Sequence, residues 1–369
     1  MRQSYLRVPA HVPQRAAFPV IDAHNHLWGS WGRIRGTIRA MDACGVALYA
    51  DLTSNLTLRW SGGGYTLRPG RFEDFLAATA REPRRFYGFT TATLAPPRGA
   101  PLRLDAPDFM ARTLEMLRDH ARLGARGLKI LKELGLHARD GRGRRVFVDD
   151  PRLAPVWETC ADLGLPVLMH QSDPVGFFEP VTPANEHYES LVKYPDWSFA
   201  DRRCFPRKAE LIRRRDAVLR RHLRTTFLLP HAANYPEDLA CVSRLLDRHP
   251  NVWIDLSARL DELGRQPYTA RAFCLRHQDR ILFGTDMPAS PAMYRAHFRF
   301  YETSDENIVP PDYDGTFERH RWRICGIGLP RPVLAKIYFR NALQVMPSLR
   351  PAYRAACAAV FAMTRTKHV

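Results

Sequence analysis

Short apolar runs alternate with longer amphipathic stretches along most of the chain. The runs are rich in valine, isoleucine and leucine and have the length of buried strands. Eight can be marked, at residues 20–23, 46–52, 86–94, 127–131, 166–169, 226–229, 252–256 and 281–283. The stretches between them carry apolar side chains at helical spacing, as at 108–123 and 207–221. Strands that alternate with helices predict an α/β fold with a parallel sheet, and eight such units predict a closed (β/α)8 TIM barrel.

Two stretches interrupt the alternation, and we predict both to be insertions in the barrel. Residues 171–206 follow the fifth strand, show little periodicity and are rich in aromatic side chains, and residues 290–330 follow the eighth strand. Long irregular connections are often active-site lids, so we expect residues 171–206 to cover a site. The barrel is predicted over residues 20–345, with an N-terminal arm at 1–19 and a partly helical C-terminal tail at 346–369.

A glycine-rich segment at residues 61–65 contains three consecutive glycines. Such segments can bind phosphates, but no Gly-Lys-Ser/Thr follows, which excludes a P-loop. We predict a flexible loop at this position.

The composition indicates a globular protein of a reducing compartment. Of the 369 residues, 45% are hydrophobic, which is enough for a large core. The seven cysteines are widely spaced and form no Cys-x-x-Cys pair, which indicates reduced thiols. The first 17 residues hold no apolar signal segment, and no run reaches the roughly 18 apolar residues of a membrane span. We therefore predict a cytoplasmic protein without a membrane segment.

The formal net charge of +17 raises the question of a nucleic-acid partner. The excess comes from arginine, which is spread over the whole chain, and its densest run lies in a helix predicted to face solvent. We interpret the charge as general composition and do not expect nucleic-acid binding. A non-catalytic, nucleic-acid-binding barrel is the alternative of another class, and salt-sensitive binding to DNA or RNA would favour it.

Polar side chains follow several of the predicted strands. His24 and His26 end the first strand two residues apart, so both can point to the same side. His170 and His231 end the fifth and sixth strands, and Asp286 lies just beyond the eighth. The carboxyl ends of barrel strands form one rim, so these five side chains are expected to converge. Histidines with a carboxylate suit one divalent metal ion, with zinc as the first choice and manganese as the second.

At these residues the chain resembles the amidohydrolase superfamily, specifically the amidohydrolase-related branch that includes aminocarboxymuconate-semialdehyde decarboxylase. The matching segments are IDAHNH at 21–26, GLKI at 127–130, LPVLMH at 165–170, the strand-end His231, and LFGTD at 282–286. The resemblance spans residues 20–345. Members of the family often have a His-Leu-Gly run after the sixth strand, whereas this chain has His-Ala-Ala-Asn-Tyr at 231–235.

The resemblance implies roles for the five side chains. His24, His26, His170 and Asp286 are expected to hold the metal ion, and Asp286 also to accept a proton from metal-bound water. His231 is expected to assist catalysis on the substrate, or only to orient its neighbours. Enzymes of this branch often pair, so the resemblance also implies a homodimer.

Four further residues are candidates for contacts with the substrate. Lys129 on the fourth strand could bind a substrate anion, or form an ion pair at the rim. Arg259 follows the seventh strand and could hold a carboxylate, or form a surface salt bridge. Trp28 and Phe177 could line an apolar pocket, although the aromatic residues of 171–206 could equally pack that segment onto the barrel.

Two reactions fit this set of residues and a small-molecule substrate. The leading prediction is a metal-dependent hydrolase, in which metal-activated water attacks the carbonyl of a cyclic amide, a lactone or a similar compound. The second is a metal-dependent, non-oxidative decarboxylase of an aromatic or unsaturated carboxylic acid. The resemblance does not separate them, because the branch contains both kinds of enzyme.

Overall fold

Eight parallel strands close into a barrel, as the alternating pattern predicts. In the computed structural model, residues 5–61, 64–82, 84–312, 315–317 and 320–365 are described. The strands are β1 (Val20–Asp22), β2 (Val46–Asp51), β3 (Leu56–Ser61), β4 (Gly64–Pro69), β5 (Phe86–Gly88), β6 (Leu128–Ile130), β7 (Val167–Met169), β8 (Phe227–Leu229), β9 (Val252–Asp255) and β10 (Ile281–Leu282). All of them except β3 and β4 belong to the barrel.

Two parallel sheets are joined edge to edge to form the barrel. One has the order β1-β2-β5 and the other the order β10-β9-β8-β7-β6. Near β5 and β6, the backbone N–H of Lys129 donates to the carbonyl of Thr90 at 2.7 Å. At the opposite seam, the N–H of Ala23 donates to the carbonyl of Phe283 at 2.9 Å. These bonds connect both pairs of edges, so the carboxyl ends of all eight strands surround one opening.

The helices mostly follow the strands and cover the outside of the barrel. They are α1 (Ile34–Cys44), α2 (Phe72–Thr79), α3 (Phe109–Leu123), α4 (Glu133–Leu136), α5 (Ala154–Asp162), α6 (Tyr188–Lys193), α7 (Lys208–Arg221), α8 (Pro230–Ala233), α9 (Leu239–Arg248), α10 (Leu260–Gly264), α11 (Pro267–Arg276), α12 (Pro291–Glu302), α13 (Arg331–Ala335), α14 (Asn341–Val345) and α15 (Arg350–Arg365). Gly45 and Gly124 end α1 and α3 in the left-handed conformation, at φ of 80° and 109°. No helix in the described part of the chain is long and apolar enough to cross a membrane.

A β-hairpin replaces the flexible loop that we predicted around residues 61–65. Strands β3 and β4 pair in antiparallel register up to Ser61 opposite Gly64, while Gly62 and Gly63 lie outside the described residues. Leu56 and Leu67 pack from the hairpin against Leu131 of the barrel rim. The loop prediction was wrong because it rested on the glycines alone and ignored the alternating apolar positions on both sides of them.

The two interruptions in the pattern contain more regular structure than we expected. Residues 171–206 include α6 and the 3-10 turns Val175–Phe178 and Pro195–Trp197. The stretch 290–330 begins with α12, which is twelve residues long, so it is not irregular throughout. In the 346–369 tail, Met346, Leu349 and Tyr353 join the apolar cluster inside the barrel. The domain boundaries themselves stay predictions.

The packing of Gly127 yields a test of the barrel core. A Cβ atom at this position would lie 2.2 Å from Cε2 of the buried Phe89. We expect Gly127→Ala to lower the free energy of unfolding by about 1–3 kcal/mol, because a closely packed interior cannot relax without moving the ring. Gly36→Ala is the control, since only the end of the Arg39 side chain lies within 4 Å of its Cβ. Urea unfolding of both variants measures the difference, and equal stabilities would contradict this packing.

Candidate active site

Four of the five predicted side chains converge at the open end of the barrel. The Nε2 atoms of His24 and His26 lie 3.8 and 3.4 Å from Oδ1 of Asp286. The Nε2 atom of His231 lies 3.7 Å from the other carboxylate oxygen, Oδ2. Asp286 therefore stands at the centre of three imidazoles that follow β1 and β8.

Each of these imidazoles forms a hydrogen bond through its Nδ1 atom, on the side of the ring away from Asp286. His24 donates to Oδ2 of Asp255 at 2.8 Å, and Nδ1 of His26 forms a hydrogen bond with the hydroxyl of Thr53 at 3.0 Å. His231 donates to the backbone carbonyl of Ser257 at 2.8 Å. A neutral imidazole has one N–H, and carboxylate and carbonyl oxygens can only accept, so these bonds place the N–H of His24 and His231 on Nδ1 and leave the Nε2 lone pair directed towards Asp286.

Burial keeps these rings neutral. Desolvation lowers the pKa of His24, His26 and His231 well below the usual 6.5, and neighbouring positive groups add to the effect. Burial also raises the pKa of Asp286 to about 7, although the Lys129 ammonium opposes the shift. Neutral imidazoles beside a carboxylate are a suitable set of donors for a divalent cation.

The arrangement fits a metal ion. Donor atoms of His24, His26 and Asp286 all lie within 4.8 Å of one another. Within the described residues, the buried Nε2 of His231 has no hydrogen-bond partner, which is costly for a polar atom unless a ligand or ion supplies one. The hydrogen bonds to Nδ1 are those that typically orient metal-binding histidines.

His170 lies beside this group rather than within it. Its Nε2 donates to the carbonyl of Ser172 at 3.2 Å and lies 3.3 Å from Oδ1 of Asp173. Its ring is next to that of His231, with 4.5 Å between the ring centroids. Only Nδ1 of His170 is therefore left to bind an ion, and its role as a ligand stays a prediction.

The turn that carries His231 is strained. His231, Ala232, Ala233 and Asn234 all have left-handed backbone conformations, with φ between 53° and 60°. Such conformations cost roughly 1–2 kcal/mol per residue for side chains other than glycine, and they concentrate at functional sites. Hydrogen bonds hold the turn, including one from the Arg215 guanidinium to the carbonyl of Ala233. Residues 231–235, which differ from the His-Leu-Gly run of the family, therefore form a turn that directs His231 into the site.

A cavity of about 740 Å³ opens above the cluster. All four predicted substrate-contact residues line it: Trp28, Lys129, Phe177 and Arg259. Its other walls come from the hairpin, through Tyr65, and from residues 171–206, through Tyr194 and Trp197. That long segment thus borders the site, as expected of a lid. We missed the hairpin's contribution because we predicted a flexible loop at residues 61–65.

Lys129 and Arg259, the two basic residues predicted to contact the substrate, are both buried. Lys129 is 1% exposed, its Nζ lies 3.4 Å from Nε2 of His24, and no carboxylate of the described residues lies within 4.0 Å of it. Burial lowers the pKa of Lys129 to about 8, while the Asp286 carboxylate opposes the shift. Arg259 lies 3.7 Å from Oδ1 of Asp173 and is 2% exposed, so it forms no surface salt bridge.

Both roles considered for the aromatic residues of 171–206 occur. Phe178 and Phe199 pack in a separate apolar cluster with Leu211 of α7, and Tyr194 and Trp197 face the cavity. Trp28 stacks on His26, with 4.1 Å between the ring centroids.

Asp255 is the main residue that sequence reasoning did not assign to the site. Its carboxylate accepts hydrogen bonds from His24 Nδ1, from the Ser257 hydroxyl at 2.5 Å and from the His231 backbone N–H at 3.2 Å. It connects two of the convergent histidines. A carboxylate at the end of an otherwise apolar strand, Val252–Asp255, was the available signal.

Comparisons with known proteins agree with the barrel fold and with the family resemblance. The amidohydrolase family model matches residues 21–345. The chain resembles a manganese-bound dihydroxybenzoic acid decarboxylase from Polaromonas sp. JS666 in complex with the inhibitor 2-nitroresorcinol, at 18% identity and a TM-score of 0.51, over 89% of this chain and 97% of the other.

Two other solved structures are similar at the same level. The 2,6-dihydroxybenzoate decarboxylase from Rhizobium is 17% identical, with a TM-score of 0.50 over 89% of this chain and 99% of the other. The 5-carboxyvanillate decarboxylase from Novosphingobium aromaticivorans, also with manganese, is 12% identical, with a TM-score of 0.50 over 92% and 100%. No curated protein sequence matches the chain significantly. The barrel, its strand-end histidines and aspartate, and the family match over residues 21–345 identify the chain as a member of the amidohydrolase family.

Proposed function

We propose that this amidohydrolase-family enzyme is a metal-dependent, non-oxidative decarboxylase of a small aromatic or unsaturated carboxylic acid. The observation that carries the proposal is the buried Lys129 ammonium in a cavity with aromatic walls. This choice reverses the order of our two predictions from sequence. Hydrolysis of a cyclic amide or lactone becomes the second candidate, since the same metal site could activate water.

The cavity favours a flat, anionic substrate. A buried ammonium is costly unless an opposite charge accompanies it, and a substrate carboxylate or phenolate would supply one to Lys129. Trp28, Tyr194 and Trp197 offer ring faces on which a planar substrate can stack. A neutral amide or lactone would bring no negative charge to Lys129. The decarboxylases that share this fold act on hydroxylated aromatic acids, which supports the same choice.

His24, His26, Asp286 and the Nδ1 atom of His170 would hold the metal ion. When bound, a divalent ion supplies Lewis-acid stabilisation of negative charge on substrate oxygen atoms. Zinc and manganese both suit imidazole and carboxylate donors, and manganese is present in two of the similar structures.

Asp286 is assigned as the proton donor and His231 as a positioning group. The Asp286 carboxyl group transfers a proton to the substrate carbon that bears the carboxylate, forming a C–H bond. The bond from that carbon to the carboxylate then breaks, its electron pair returns to the substrate, and carbon dioxide leaves. Water later reprotonates Asp286. The Nε2 atom of His231, which has no hydrogen-bond partner among the described residues, accepts a hydrogen bond from a substrate hydroxyl group and so orients the substrate ring.

A substrate panel tests the reaction. Purified enzyme loaded with zinc or manganese is incubated with hydroxybenzoic acids, including 2,6-dihydroxybenzoate, and separately with cyclic amides and lactones. Carbon dioxide release from an aromatic acid, absent after metal chelation, is the expected result. Turnover of amides or lactones with no release of carbon dioxide from any acid would favour the hydrolase instead. A homodimer and a cytoplasmic location stay predictions from the sequence.

Lys129 provides a test of substrate charge. We expect Lys129→Met to lower kcat/KM by about 10²-fold, mainly through a higher KM, because a buried charge partner of the substrate is lost. Lys193→Met is the matched control, since Lys193 is exposed at the cavity wall and its charge is screened by water. Steady-state kinetics of both variants measure the effect. Equal kinetics for Lys129→Met and the wild type would contradict the role of Lys129.

A further inference from the structure

A second group of metal-binding side chains lies outside the cluster around Asp286. Donor atoms of His187, Asp261 and Glu262 all lie within 4.8 Å of one another, and all three residues are buried. The Nε2 atom of His187 is 3.7 Å from Oε1 of Glu262. None of these residues belongs to the catalytic set or lines the cavity.

The polar atoms of this group have no hydrogen-bond partners within the described chain. They are Nε2 of His187, Oδ2 of Asp261 and both carboxylate oxygens of Glu262. Each side chain is more than nine-tenths buried, so bulk water does not replace the missing partners. Unpaired buried charges are rare in folded proteins because their desolvation is costly.

A second histidine and a third carboxylate extend the group. The Nδ1 atom of His320 lies 3.6 Å from Oδ2 of Asp261, and its Nε2 lies 3.0 Å from Oδ1 of Asp312. The guanidinium of the neighbouring Arg265 donates to Glu186 at 2.6 Å and to the backbone carbonyl of Asp261 at 3.2 Å, and among the described residues it forms no ion pair with the carboxylate of Asp261 or Glu262. Imidazole and carboxylate donors that converge in a buried space are typical of a zinc or manganese site.

The group joins three segments that are far apart in the chain. His187 belongs to residues 171–206, Asp261 and Glu262 lie in α10 after β9, and His320 lies beyond α12. Two of these segments also reach the cavity. Arg259 lines the cavity and directly precedes α10, and Phe177 also lines it, with its ring 5.2 Å from that of His187.

We propose that His187, Asp261 and Glu262 bind a second divalent transition-metal ion, with His320 as a further donor, and that this ion fastens the segment over the cavity to α10. The site is separate from the catalytic centre and does not depend on which reaction the enzyme catalyses. Its role is structural: it brings positive charge to the Asp261 and Glu262 carboxylates and links three connections through buried polar atoms that have no hydrogen-bond partner among the described residues.

Metal stoichiometry of the intact protein tests this site. Protein produced with zinc or manganese and freed of loose metal should contain about two ions per chain by elemental analysis. Glu262→Gln and His187→Gln should each retain about one ion, at the catalytic centre, and should melt at a lower temperature. His26→Asn should lose the other ion. Glu189→Gln is the matched control, because Glu189 bonds Arg321 between the same segments at the surface and should leave both ions in place.

Wild-type crystals measured on both sides of the zinc or manganese absorption edge locate the ions without any variant. Anomalous density between His187 and Glu262 is the expected result, even if a variant fails to fold. One ion per chain, located beside Asp286, would overturn this proposal while leaving the catalytic one intact. A folded Glu262→Gln variant that keeps two ions would also overturn it, whereas no density beside Asp286 would count against the catalytic site alone.

Discussion

Asp286→Asn is expected to abolish most of the activity and to weaken metal binding. The substitution keeps the size of the side chain but removes its charge and its transferable proton. Loss of a positioned acid or base typically costs about 10²–10⁴-fold in rate. The amide also offers the ion a weaker donor than a carboxylate, so metal content should fall together with turnover. Elemental analysis and steady-state kinetics on the same preparation measure the two effects.

Two comparisons make this result specific. Asp279→Asn is the control, since Asp279 is an exposed carboxylate that pairs with Lys336 just before β10, and it should retain both metal and activity. His231→Asn should keep the metal and lose rate, because His231 is assigned to the substrate rather than to the ion. If Asp286→Asn retained full metal and full rate, both roles assigned to Asp286 would fail.

The second large effect is expected for Asp255→Asn. Asp255 touches neither the substrate cavity nor the open face of the cluster, but it accepts the Nδ1 proton of His24. Without the carboxylate, His24 becomes a weaker donor and its orientation is less fixed. Loss of such an orienting partner typically lowers metal affinity by about 10–100-fold. Asp255 is thus a positioning residue, and its effect should appear in metal binding before it appears in chemistry.

A metal titration separates positioning from direct catalysis. In Asp255→Asn, activity should recover in large part at high metal concentration, whereas in Asp286→Asn it should not. Thr53→Val provides a graded comparison, because it removes the neutral hydrogen bond to His26 and should cost only about 0.5–1.5 kcal/mol in metal binding. Unchanged metal affinity in Asp255→Asn would contradict the orienting role.

The barrel could be predicted because its signals are local. Each buried strand is a short apolar run, and the stops of α1 and α3 are glycines, so both kinds of boundary can be found in the sequence. The alignment of parallel strands then places the strand-end residues on one rim. This reasoning brought His24, His26, His231 and Asp286 together without any knowledge of the distances between them.

The remaining parts of the site depend on long-range contacts and on backbone conformation. The direction of the His170 ring depends on Asp173 and Ser172, which follow it in an irregular segment. Asp286 itself has a left-handed φ of 52°, a backbone conformation that an aspartate in the sequence does not indicate. Likewise, the His187–Glu262 group is assembled from segments about 75 residues apart, so no local spacing indicates it.

Product formation in deuterated water tests the central claim most directly. A decarboxylase replaces the lost carboxylate with a proton that originates from solvent. The account predicts carbon dioxide and a product with one deuterium on the carbon that carried the carboxylate, as seen by NMR and mass spectrometry, and both should form about 10²–10⁴-fold more slowly with Asp286→Asn. A product that retains its carboxylate and has gained the elements of water across a carbonyl bond would contradict the account and identify a hydrolase.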